Sequence, residues 1–126
     1  MVFKEGEKML KINLKDHKSS QCHVEVEKHH NVCDNTDRIN LWFVSYVTGV
    51  IHAYEEPAEA EIPRGFRIEC TGTYSPTTRK QIGWFLKEYF PQLNYFDMKE
   101  IVPCGDFITS EMDKSTYNRL KEMLED

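Results

Sequence analysis

The stretch "FRIECTGTYSPTTRKQIGWFLKEYF", Phe66 to Phe90, contains the point where the chain changes its period. In "FRIEC" the apolar and polar residues alternate, as they do on a strand with one buried face. From Ile82 onward the apolar positions are Ile82, Phe85, Leu86, Tyr89 and Phe90, which lie on one side of a helix. Pro91 cannot continue that helix and ends it. The spacing therefore predicts a helix over about 76–90, preceded by strands.

The polar front of this helix admits two starts. Ser75 followed by Pro76 fits an N-cap with proline at the first helical position. Alternatively Thr78 caps, with Gln81 closing a capping box. Either start engages the hydroxyls with the unpaired N–H groups of the first turn. A backbone phosphate cradle is disfavoured, because the turn lacks glycine and the net charge is −5.

Upstream the pattern is that of strands. Leu10, Ile12 and Leu14 alternate with lysine and asparagine, and Val24 and Val26 alternate with His23, Glu25, Glu27 and His29. An antiparallel hairpin with Ile12 opposite Val26, Leu14 opposite Val24 and Lys11 opposite Glu27 matches both faces. "INLWFVSYV" is apolar on both faces and reads as a central strand. Thr48-Gly49 reads as a tight hairpin loop returning through "VIHAYEE". Downstream, "DFITS" suits a short strand, and Tyr117, Leu120 and Leu124 align on a terminal helix over about 112–125, capped by Asp113 or Ser110. The expectation is one α+β domain over 1–126. An antiparallel sheet of about five strands packs against a central and a C-terminal helix.

Composition agrees with a single globular domain of 126 residues, 40% hydrophobic and 29% charged. The negative charge argues against direct nucleic-acid binding and favours a protein partner with a basic face. The start "MVFKEGEKML" has no apolar core of the secretory kind, and no run suits a membrane span. The expectation is a cytoplasmic protein whose four cysteines are thiols.

The hairpin "WFVSYVTGVIHAYE" followed by "YSPTTRKQIGWFLKEY" resembles a family of small phage and prophage proteins. These carry an SY-x-T-x-V hairpin and then a YS-x-TT-x-x-H-I-x-x-FL helix start. The matching residues are Ser45, Tyr46, Thr48, Val50, Tyr74, Ser75, Thr77, Thr78, Ile82, Phe85 and Leu86, within residues 42–90. Gln81 stands where that pattern has histidine. The resemblance implies an accessory protein of a mobile element. Such proteins often inhibit host defence nucleases in the manner of anti-CRISPR proteins, but this family carries no established activity.

Among chemistry-bearing residues, His17, Cys22, His23, His29, His30 and Cys33 crowd one region with ligand types that suit zinc. No C-x-x-C is present, and His23 and His29 lie about 20 Å apart on a strand. His29, His30 and Cys33 remain the candidates that could converge, and they support an alternative reading as a zinc-stabilised nucleic-acid-binding module. His52 and Cys70 form a candidate thiol–imidazole pair on neighbouring strands. Glu55, Glu56, Glu59 and Glu61 share one loop, and equal solvation would not separate their acidities for acid–base work. They suit a charged contact surface instead.

Trp84 falls opposite Ile82 and Leu86, beside Lys80, Lys87 and Glu88. Such a tryptophan needs cover from the terminal helix, a second copy or a partner. The expected function is therefore non-enzymatic, without a cofactor. A host protein, in its concrete form a nucleic-acid-binding effector, is occluded by Trp84, Lys80, Lys87, Glu55, Glu56, Glu59 and Glu61.

Overall fold

A computed structural model describes residues 9–57, 62–72, 74–101 and 105–125. Strands β1 (Met9–Ile12), β2 (Cys22–Asn31), β3 (Thr36–Ser45), β4 (Thr48–Glu55) and β5 (Gly65–Cys70) come first. Helices α1 (Pro76–Tyr89) and α2 (Tyr95–Ile101), strand β6 (Ile108–Glu111) and helix α3 (Lys114–Leu124) follow. All six strands form one antiparallel sheet, in the order in which they occur along the chain. The fold is α+β as expected; the sheet of about five strands has six, with β6 lying where "DFITS" suits a short strand.

Strand alternation divides the sheet into two unlike faces. Val24, Val26, Ile39, Leu41, Phe43, Ile51, Ala53, Phe66 and Ile68 point to one side and are buried. The helices fill that side with Ile82, Phe85, Leu86, Tyr89, Phe90, Met98, Leu120 and Leu124. Aromatic rings tie the layers together: Phe43 stacks on Phe85 with centroids 4.9 Å apart, and Phe66 meets Phe90 and Tyr117 edge-on. Each such side chain contributes about 1.5–3 kcal/mol when fully buried. Among the described residues, the helices bury their side chains against this face and none against the opposite one.

The start of α1 follows the first of the two capping schemes. Ser75 Oγ accepts from the backbone N–H of Thr78, and Pro76 occupies the first turn. Thr78 and Gln81 do not form a capping box; both are buried and bonded to Ser45 instead. The helix stops one residue short of the expected end, with Phe90 as its C-cap. The last helix starts at Lys114, and Asp113 is its cap, accepting from Thr116 N–H at 3.1 Å. Ser110 belongs to β6.

Two local expectations are corrected. In the first hairpin Leu10 faces Val26, Ile12 faces Val24 and Lys11 faces Glu25, a slip of two residues from the expected pairing. The slip preserves both faces, and it frees Leu14 to leave the strand and enter the core at 1% exposure. Glu88 Oε1 of α1 then anchors the departing chain by accepting from Lys15 N–H at 2.6 Å. In the second hairpin Ser45 pairs with Thr48, so the turn is Tyr46-Val47 and not Thr48-Gly49. Tyr46 takes the positive φ, 58°, while Gly49 lies in the strand. The register shifts between Phe43 and Val44, where β4 accommodates an extra residue.

Candidate functional site

The uncovered sheet face presents Glu25, Glu27 and His29 from β2, Asn40 and Trp42 from β3, His52 and Tyr54 from β4, and Arg67 and Glu69 from β5. Register places Glu25 beside Trp42, Trp42 beside His52, and His52 beside Glu69 in one row across four strands. Glu27, Asn40, Tyr54 and Arg67 form the next row.

The centre of this face is a stack with its hydrogen bonds determined. Trp42 and His52 lie with ring centroids 4.3 Å apart and planes 21° from parallel. Asn40 Nδ2 donates to Glu27 Oε1 at 2.8 Å, which turns Asn40 Oδ1 toward His52. His52 Nε2–H donates to that oxygen at 2.5 Å. In the neutral ring Nδ1 is then the bare nitrogen, and it faces Glu69 Oε2 at 3.9 Å. Burial lowers the His52 pKa below its ordinary value of 6.5, and Glu69 partly opposes the shift. The resting stack is therefore neutral at pH 7, with carboxylates on either side.

The two ends of the face are charge-balanced. Arg38 bonds Asp34 and lies 5.9 Å from the centroid of Tyr54. Arg67 lies over the Phe107 ring at 3.8 Å and is 3.9 Å from Glu56. Glu27 and Glu69 differ: among the described residues, neither pairs with a lysine or arginine.

The thiol–imidazole pair does not assemble. Cys70 sits opposite Ile51 and His52 opposite Glu69, so alternation sends the thiol and the imidazole to opposite faces. Burial also raises the Cys70 pKa, which disfavours the thiolate. His29, His30 and Cys33 do not converge either. His29 Nδ1 bonds Tyr54 OH at 2.9 Å, His30 Nδ1 bonds Asp37 at 2.8 Å, and Cys33 is exposed in the following turn. Among the described residues no three His, Cys, Asp or Glu side chains gather as a metal site. Cys104 lies outside those residues.

The expected contact residues fall into two separate places. Glu55 is not a loop residue but the last of β4. Its Oε1 accepts from Ile39 N–H and its Oε2 from Tyr117 OH at 2.5 Å, so it is a structural anchor between sheet and α3. Glu56 faces Arg67, while Glu59 and Glu61 lie outside the described residues. Trp84, Lys80 and Lys87 do share the outer side of α1. Trp84 is half-buried, and its own chain supplies the cover from the β1–β2 loop: His17 stacks on it at 4.0 Å with planes 4° apart. Lys80 Nζ lies 5.6 Å from the same ring.

Trp42, Asn40 and Glu69 escape sequence reasoning. "LWFVSYV" looks apolar throughout, so its alternate residues do not reveal that one face is left open. The signal that could have found them is that Trp42 holds the polar-face parity of Glu25 and His52.

Comparison with protein-family models, with curated proteins and with solved structures returns no match.

Proposed function

We propose that this protein is a non-enzymatic binding protein that occludes a partner protein by docking a basic segment across its open sheet face. The observation that carries this reading is the placement of Glu27 and Glu69 around the neutral Trp42–His52–Asn40 group, with no cation opposite either carboxylate among the described residues. Basic side chains spaced along a partner segment would meet one carboxylate on each side of an aromatic plane, on a rigid strand scaffold. The resemblance to phage accessory proteins adds a partner class, a host nuclease with a basic nucleic-acid groove. Trp84 and Glu55 suit this contact less well, since His17 covers the first and Ile39 and Tyr117 occupy the second.

Affinity capture from host lysate, followed by titration with the captured partner, tests the reading. The Glu27→Lys/Glu69→Lys variant should bind at least about tenfold more weakly, with wild-type binding falling as salt rises. A partner that binds this variant as tightly as wild type would place the contact elsewhere. Loss of binding in a Trp84→Ala/Lys87→Ala variant alone would return it to α1.

A further inference from the structure

A second site lies away from the sheet face, between the β1–β2 loop and the first half of α1. It is a hollow of about 420 Å³, within the size range of small-molecule sites. Its wall includes Lys18 and Lys80 and no carboxylate, in a chain whose net charge is −5. Among the described residues neither lysine pairs with an acidic side chain.

The floor supplies the observation that points to a ligand. Gln81 lines the hollow at 2% exposure. Its Oε1 accepts from Ser45 Oγ at 2.6 Å, and Ser45 Oγ lies 3.2 Å from Thr78 Oγ1. That chain fixes the carbonyl end of the carboxamide and leaves the amide nitrogen, with two N–H donors, without an acceptor among the described residues. Gln81 Nε2 is not one of the buried side-chain atoms that lack a partner, so it opens onto the hollow and can donate to whatever fills it. Lys18 and Lys80, both exposed to solvent, add two positive charges beside it. The stacked Trp84 and His17 supply an apolar wall.

We propose that this hollow binds a small organic anion, its carboxylate or phosphate oxygens held by Lys18, Lys80 and the Gln81 amide, its apolar body against Trp84. The backbone N–H groups of α1 are not required: Ser75 Oγ takes that of Thr78 and Ser75 O that of Arg79. The site uses side chains one turn into the helix.

Calorimetric titration of the full chain with adenosine monophosphate, benzoate, inorganic phosphate and adenosine tests the proposal. Saturable binding of adenosine monophosphate or benzoate, tighter than about 1 mM, is expected, and the comparison between them separates a phosphate from a carboxylate ligand. Lys18→Ala/Lys80→Ala should weaken it by at least about tenfold, and Gln81→Met should weaken it too. Glu27→Lys/Glu69→Lys should leave it unchanged, which separates this site from the sheet face. The proposal is overturned if neither anion binds, if the lysine variant binds like wild type, or if adenosine matches adenosine monophosphate. Inorganic phosphate binding as tightly as both organic anions would overturn the part assigned to Trp84.

Discussion

A Cβ placed on Gly49 would come within 2.8 Å of Trp42 Cε3. Gly49 thus serves as the bed on which the indole lies, and its φ is not one that demands glycine. Gly49→Ala gains about 0.4–1 kcal/mol from a stiffer unfolded chain, but overpacking against a ring held by His52 costs about 1–3 kcal/mol. Net destabilisation is expected in chemical denaturation, with loss of the near-ultraviolet dichroism of the Trp42–His52 stack. An unchanged spectrum would show that the ring does not rest there.

His52 should make stability depend on pH in the mildly acidic range. Folding lowers its pKa below 6.5, so between the two values the unfolded chain holds more protons than the native one. Stability therefore rises with pH across that window, is complete above about pH 6.5, and is lost as pH falls through the folded pKa. Asp34, Asp37 and Asp113 act in the same direction only near and below 3.8. Urea midpoints measured from pH 7.5 to 5 should fall for wild type and stay flatter for His52→Gln.

Ser45 joins the end of β3 to α1 through Gln81 and Thr78, all of it buried. Ser45→Ala leaves the Gln81 carbonyl without its donor and should cost about 1–3 kcal/mol. In a double-mutant cycle with Gln81→Met the combined loss should be smaller than the sum, because both substitutions remove the same bond. Strict additivity would mean that the bond is not formed.

Asp113 holds the first turn of α3 by accepting from Thr116 N–H and from the hydroxyls of Thr116 and Ser115. These bonds lower its pKa, the backbone bond most of all. Asp113→Ala should cost about 0.5–2 kcal/mol in thermal unfolding. Asp113→Ser should recover most of it, since a hydroxyl accepts the same N–H.

Legibility in the sequence followed the range over which each signal acts. The helical face of Ile82, Phe85, Leu86 and Tyr89 and the strand faces of Val24 and Val26 repeat locally, and all are buried as the spacing requires. The first hairpin slipped by two because alternation is unchanged by a shift of two, so nothing in "MLKINLK" distinguishes Ile12 from Leu14 as the partner of Val24. Gly49 reads as a turn because glycine marks turns, whereas the reason for it is an indole from the preceding strand, β3. The cover on Trp84 comes from His17, a contact between segments distant in the chain that no period can encode.

The sequential order of the strands has a consequence for synthesis. Each of β2 to β5 can add to the edge left by its predecessor as it emerges, with short connections and little loop to close. Yet the apolar side of that growing sheet, from Val24 to Ile68, has no lid until Phe85 and Phe90 have been made. For that interval the nascent chain is a half-built sandwich with one sticky side. It is then most exposed to aggregation, and chaperones would have most to gain by holding it.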